Sequence, residues 1–167
     1  MAPPGIYCLI LANPACTVRV GQLGECRFPA GRHCYIGSAL GPGGLARVCR
    51  HLRLAREQDR PPRWHIDYLL TDPRFIPEAV VWAVTADRLE CAVARSLGEP
   101  GIKGFGCSDC RCPTHLFSRE EHPVAEVCRA FRSAGCAPLF RGASDMVQDF
   151  FWYRQKTDIV SLTILHL

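Results

Sequence analysis

The spacing of apolar and polar positions changes period several times along the chain, and each change marks an element. Gly5 to Leu11 is a nearly unbroken apolar and aromatic run that reads as a first strand, and Asn13-Pro14 ends it with a turn signal. Thr17 to Val20 is a short second run with alternating apolar positions. Gly21 to Arg32, rich in glycine and containing Pro29, reads as a hairpin turn and loop with some strand character. Cys34 to Ala39 is the next strand. After Gly41-Pro42-Gly43-Gly44 the period lengthens: Leu45, Val48, Cys49 and Leu52 fall at i, i+3, i+4 and i+7, predicting a core stripe on a helix of about 13 residues. Arg47, Arg50 and His51 are expected to share the opposite face of that helix.

Pro61-Pro62 closes this basic stretch, and Trp64 to Leu70 resumes order in a state the periodicity does not define. Ala79 to Val84 reads as a buried strand. Asp87 is placed as the N-cap of a helix through Leu97, with Leu89, Val93 and Leu97 facing inward. Gly101 to His115 is a glycine- and cysteine-rich loop. A last amphipathic helix is expected over residues 122–134, with Val124, Val127, Cys128 and Phe131 on one face. Beyond it lie an aromatic knot, Phe150-Phe151-Trp152-Tyr153, and an apolar run from Ile159 to Leu167. Strands and helices mixed in this order give an α/β (α+β) class.

Composition adds little to that picture until the cysteines are reached. A chain of 167 residues, 48% apolar and 22% charged, can bury a proper core. Nothing approaches the roughly 18 to 20 apolar residues of a membrane span, so no membrane partner is expected. Met1-Ala2-Pro3-Pro4 lacks the charged start and apolar stretch of a secretory signal, which leads to an intracellular, cytoplasmic expectation. A reducing compartment keeps thiols free. Six of the eleven cysteines (Cys8, Cys16, Cys26, Cys34, Cys49 and Cys91) stand singly among strand or helix residues and are expected to be small buried hydrophobes. Charge is uneven: residues 1–60 hold eight arginines against Glu25, Glu57 and Asp59, whereas the remainder is nearly balanced. A basic first half suits a polyanionic partner, although a solvated arginine-rich surface would look the same.

The candidate chemistry begins with two tripeptides, Gly5-Ile6-Tyr7 and Tyr35-Ile36-Gly37. If their strands pair as neighbours, two phenols come to one face of a small sheet. The second tripeptide then leads through a glycine turn into the helix of Arg47, Arg50 and His51. Phenols, arginines and an imidazole at a strand-to-helix junction suit a phosphate. Arginine offers a bidentate, permanently charged clamp, and a hard cation held by a carboxylate can stabilise the phosphoryl and leaving oxygens. No Gly-Lys-Ser/Thr is present, so a nucleotide P-loop is not indicated.

The series Gly5-Ile6-Tyr7, Tyr35-Ile36-Gly37, Arg47 and Glu90 resembles the GIY-YIG nuclease superfamily, and more closely its compact Uri-type branch, over about residues 5–117. Tyr35-Ile36-Gly37-Ser38-Ala39-Leu40-Gly41, Trp64-His65-Ile66-Asp67-Tyr68-Leu69-Leu70 and Gly104-Phe105-Gly106 with Ser108-Asp109-Cys110 support the likeness. The resemblance implies a three-stranded, mostly antiparallel sheet flanked by helices in a domain of residues 1–117, followed by a helical extension over 118–167. It implies metal-dependent cleavage of DNA, in repair or processing, with Mg2+ or Mn2+ as cofactor. Tyr7 and Tyr35 match the motif tyrosines, one of which would orient or deprotonate water. Arg47 matches the arginine on the scissile phosphate, His51 a polar position one turn later, and Glu90 the carboxylate that binds the cation.

Each assignment has a plainer competitor. Asp87-Arg88-Leu89-Glu90 is also a capping-box pattern, in which Glu90 needs no metal. His65 is either a proton carrier in the site or a satisfied core histidine. Cys107, Cys110, Cys112 and His115 have the ligand types of a structural Zn2+ site, though four ligands within nine residues is tight and would need an irregular backbone at Cys110 and Cys112; the alternative is a tight loop packed near the active face. Arg47 and Arg50 could be a solvated face, which makes a catalytically silent nucleic-acid-binding module the rival function. A thiol-rich metal or redox protein built on the cysteine loop is a remoter one. The extension could cover a sheet face, self-associate as a homodimer or bind a protein partner.

Overall fold

A computed structural model describes residues 2–146. The aromatic knot and apolar run expected near the C-terminus lie outside the described residues. Strand β1 (Gly5–Asn13) pairs antiparallel with β4 (Gly31–Ala39) on one side and β5 (Ile76–Val84) on the other. Strand β6 (Leu116–Arg119) extends the sheet beyond β4, and β7 (Leu139–Gly142) extends it beyond β5. The order is β6-β4-β1-β5-β7, all antiparallel, with a separate hairpin of β2 (Cys16–Arg19) and β3 (Glu25–Phe28). The sheet therefore has five strands, not the expected three.

Strand alternation sends side chains of this sheet into two cores. Tyr7, Leu9, Leu11 and Val80 pack with the hairpin, with α1 (Ala46–Glu57) and with α2 (His65–Leu70). Ile6, Cys8, Ile10, Cys34, Ile36 and Val81 face the opposite layer, α3 (Glu90–Leu97) and α4 (Val124–Ser133). Strand β1 is buried on both faces, so its sequence is an unbroken apolar run rather than an alternating one. Among the described residues, no helix is long and apolar enough to cross a membrane.

Several boundaries differ from expectation for local reasons. Strand β5 begins three residues early, at Ile76; Pro77, which cannot donate to a ladder, sits among its first pairs, next to the register shift between Ile10 and Leu11. Residues to which the hydrophobic pattern assigns no element supply the two edge strands, β6 between the cysteine loop and α4 and β7 after α4. Strand β6 runs through residue 117, and α4 and β7 pack on the same sheet, so the division expected there does not coincide with a break in the fold.

Phe131 shows how firmly α4 belongs to this unit: its ring is fully buried with Val127, Val93 and the sheet. Phe131→Ala should cost about 3–5 kcal/mol in denaturant unfolding, with one cooperative transition throughout. A loss below about 1 kcal/mol, or a separate early transition, would mean that α4 is an appendage.

Candidate active site and cysteine–histidine cluster

Tyr7 and Tyr35 point from neighbouring strands to the same face of the sheet, with ring centroids 6.3 Å apart. Tyr7 stands opposite Gly37, and its ring fills the space that a Cβ on Gly37 would need. A Cβ on Gly5 would overlap the carbonyl oxygen of Ala83 on β5. The outer glycines of the two tripeptides are thus packing requirements, and Gly37 in particular seats the phenol of Tyr7.

Helix α1 carries the next groups, but its faces differ from expectation. At about 100° per residue, His51 lies only about 60° from Val48 around the helix, inside the buried arc instead of opposite it. His51 is 1% exposed, and its Nε2 is 2.9 Å from the Tyr7 hydroxyl. Its Nδ1 is 3.7 Å from Oδ1 of Asp67, a buried residue of α2. The other oxygen of Asp67 accepts the backbone N–H groups of Arg63 and Trp64, which caps α2 and fixes the carboxylate. A carboxylate accepts rather than donates, so the imidazole hydrogen belongs on Nδ1 and the Tyr7 hydroxyl donates to Nε2.

Burial decides the resting protonation. Burial, and then repulsion from Tyr35, hold Tyr7 well above the usual phenol range despite Arg47 and Arg50. Burial pushes Tyr35 up to about 12. Burial, reinforced by Arg50 and Arg47, pushes His51 down to about 3. Near neutral pH both phenols keep their protons and His51 is uncharged.

Arg47 and Arg50 lean on Trp64, with guanidinium carbons 5.1 and 3.8 Å from the ring centre. Trp64 is 40% exposed, so this pair stands where the site opens to solvent. His65, the first residue of α2, accepts the backbone N–H of Gly106 on Nδ1 at 3.0 Å and packs its ring on Phe105. It ties α2 to the loop before β6, and burial lowers its pKa. Glu90 opens α3, but not as a cap. Leu89 occupies the N-cap position with no side-chain cap bond, and the Asp87 backbone N–H donates to the Thr85 hydroxyl. Asp87 therefore does not cap the helix as expected, and Glu90 Oε2 is left buried and unpartnered.

Among the described residues, the buried side-chain nitrogen and oxygen atoms without a hydrogen-bond partner are Arg50 Nη2, His51 Nδ1, Asp67 Oδ1 and Glu90 Oε2. Leaving such an atom dry costs about 1–3 kcal/mol. Arg50, His51 and Asp67 lie together, whereas Glu90 is on α3 in the opposite helix layer. Among the described residues, the other buried side-chain nitrogen and oxygen atoms have hydrogen-bond partners. His33, on the same strand as Tyr35, donates from Nδ1 to the Asn13 side-chain oxygen and accepts on Nε2 from the Ser118 hydroxyl.

The cysteine loop holds the second constellation. Cys91, Cys110, Cys112 and His115 bring four ligand atoms within 4.8 Å of one another, a group that could hold a metal ion. Cys107 is not in the group; its thiol donates to the Phe105 carbonyl at 3.3 Å. Cys91, expected to be a buried hydrophobe, takes its place from the first turn of α3.

A family model described as a domain of unknown function, DUF123, matches residues 6–136. The chain belongs to the DUF123 family. The DUF123 match runs from β1 to the residues after α4 and contains Tyr7, Tyr35, Arg47, His51, Asp67, Glu90 and the whole cysteine–histidine group. No curated protein and no solved structure matches the chain.

Asp67 and Cys91 are the members of this DUF123 fold that sequence reasoning left without a role. Asp67 had a signal, an acidic residue three positions into a helix whose other inward residues are Ile66, Leu69 and Leu70. Cys91 had none beyond adjacency to Glu90.

The buried histidines make stability pH-dependent. Burial lowers His33 to about 4 and His51 to about 3, whereas an unfolded histidine titrates near 6.5. Between pH 6.5 and 4 the unfolded chain binds more protons, so stability falls as pH falls across that window. Unfolding midpoints should drop from pH 7 to 4.5, and the ring protons of both histidines should not titrate above pH 5 in NMR. A midpoint near 6.5 for either ring would contradict its environment.

Proposed function

We propose that this DUF123 chain is a divalent-metal-dependent endonuclease that hydrolyses DNA phosphodiester bonds in repair or processing. The observation that carries the reading is the set of orphaned buried atoms on Arg50, His51 and Asp67 beside the paired phenols; Glu90, the fourth orphan, stands on α3 in the helix layer across the sheet. Such groups are tolerated where a ligand or a reaction uses them. Their types fit hydrolysis at phosphorus: guanidinium for the anion, phenol and imidazole for proton transfer, carboxylate for a hard cation. The resemblance to GIY-YIG nucleases points the same way.

Arg47 and Arg50 would clamp the scissile phosphate. Its negative charge offsets the two guanidiniums, which removes part of what holds His51 so far below its ordinary range. His51 Nε2 then takes the Tyr7 proton as Tyr7 takes one from water. The water oxygen bonds to phosphorus as the bond to the leaving sugar oxygen breaks. Asp67, facing Nδ1, stabilises the imidazolium as it forms. Mg2+ or Mn2+ held by Glu90 would supply charge stabilisation on the phosphoryl and leaving oxygens. Trp64, exposed beside both arginines, offers a face on which a base could stack. One site per chain cuts one strand at a time, so full scission takes a homodimer or two visits.

Supercoiled plasmid should be nicked with Mg2+ or Mn2+ and left intact in chelator. Arg47→Ala and Glu90→Ala should each slow nicking about 100-fold or more while the protein stays folded. Unchanged nicking in both would defeat the site assignment, and binding of DNA without nicking would leave the silent binding module. Asp67→Asn should lower kcat about tenfold or more with little change in KM, and move the acid limb of the rate profile to lower pH because the imidazolium is less stabilised. An unmoved limb would reduce Asp67 to a helix cap.

A further inference from the structure

The group formed by Cys91, Cys110, Cys112 and His115 joins two parts of the fold that lie far apart in sequence. Cys91 stands on the first turn of α3, immediately after Glu90. The other three come from the loop that leads into β6. His115 is 4% exposed and is held by the strand of Tyr35-Ile36-Gly37. Its Nδ1–H donates to the Ile36 carbonyl at 3.2 Å, and its own carbonyl accepts the Ile36 N–H at 2.9 Å.

A carbonyl cannot donate, so the hydrogen of His115 lies on Nδ1 and the Nε2 lone pair faces the sulfurs. Nε2 is 3.4 Å from Cys110 Sγ and 3.7 Å from Cys91 Sγ. One lone pair has room for one good thiol hydrogen bond, yet two thiols converge on it and a third closes the group. With Zn–S near 2.3 Å and Zn–N near 2.05 Å, the sulfur–nitrogen edge of a zinc tetrahedron is about 3.6 Å, which both distances match. A ligating imidazole whose other nitrogen is fixed by a backbone carbonyl is also the usual outer-shell arrangement. Three thiols and an imidazole select a soft or borderline ion over Mg2+.

We propose that Cys91, Cys110, Cys112 and His115 bind one structural Zn2+ that clamps the start of α3 to the strand carrying Tyr35-Ile36-Gly37. The zinc clamp stands on its own geometry; only its consequence, that it fixes the position of Glu90 for a cation, rests on the nuclease reading. Cys107 is outside the coordination sphere.

The test uses the full chain, purified under reducing conditions without added metal. Elemental analysis should find one zinc per chain. Cys91→Ser should lower this at least tenfold, and Cys107→Ser should leave it unchanged. Replacement by Co2+ in the wild-type protein should give the intense tetrahedral bands and thiolate charge transfer of a sulfur-rich site, which does not depend on any variant folding. Removal of zinc should raise hydrogen exchange at the Ile36 amide, with recovery on adding Zn2+ back. No zinc in reduced protein, a disulfide within the group, or zinc retained by Cys91→Ser and lost by Cys107→Ser would each overturn the proposal. None of these readings depends on DNA cleavage, so the clamp and the nuclease can fail separately.

Discussion

The register of β1 on β4, with Tyr7 opposite Gly37 and Leu9 opposite Tyr35, is the constraint on which the rest depends. Because β1 is buried on both faces, each side chain from Ile6 to Leu11 belongs to one core or the other. A slip of β1 by one residue would exchange its two sets, driving Ile6 and Cys8 toward α1 and Tyr7 toward α3 and α4, away from Tyr35 on β4. Gly37 fixes the register from the inside, since only the strand position without a side chain leaves room for the Tyr7 ring. The same alternation turns Ile36 away from the phenols, while its backbone remains available to His115.

Around that pair the fold arranges charge against its own stability. Arg47 and Arg50 sit beside a neutral imidazole and two protonated phenols, and Asp67 is the carboxylate that faces into this group. The sheet and the cap on α2 hold each group in place, so on the function proposed above little motion would be needed to receive a phosphate. Trp64 contributes in the same way: it packs against both guanidiniums and keeps them near the mouth without neutralising them. With Asp67 the carboxylate that acts on Arg50 and no salt bridge to either guanidinium among the described residues, this positive charge is less neutralised than the same charge in a surface salt bridge. The bridges of Arg53 and Arg60 with Asp59, at the far end of α1, show the contrast.

Much of this was legible in the sequence, and the rest fails for identifiable reasons. The strands around the two tripeptides, the helix of Arg47 and the helix of Phe131 follow from hydrophobic period alone. The edge strands β6 and β7 do not, because four residues give too short a pattern to read and their pairing is supplied by distant strands. The spacing of His51 to Arg47 and Arg50 predicts the face opposite the core stripe, on the assumption that spacing alone decides the face. The Tyr7 hydroxyl overrides that assumption by giving the imidazole a partner inside the core. Asp87 looked like a cap and Glu90 like its reciprocal partner, but the chain enters α3 through Leu89 and leaves both side chains free of that duty. Cys91 could not be joined to the cysteine loop by spacing, since only the packing of α3 on the sheet brings it there.

Glu90 and Cys91 are neighbours in sequence yet serve different sites on the readings proposed above. Successive residues on a helix point about 100° apart, so one turn can face two sites at once. Ligand chemistry would keep the ions apart: a lone carboxylate oxygen favours a hard cation that retains water, while three sulfurs and a nitrogen favour zinc. A permanently coordinated ion at Cys91 would also set the position of Glu90 more tightly than packing of a short helix could. The weakly held ion, bound by one carboxylate and the substrate, would then find its ligand in place without a protein cage of its own. On this view the thiol cluster serves catalysis by position alone, which is why its chemistry can be that of a structural site.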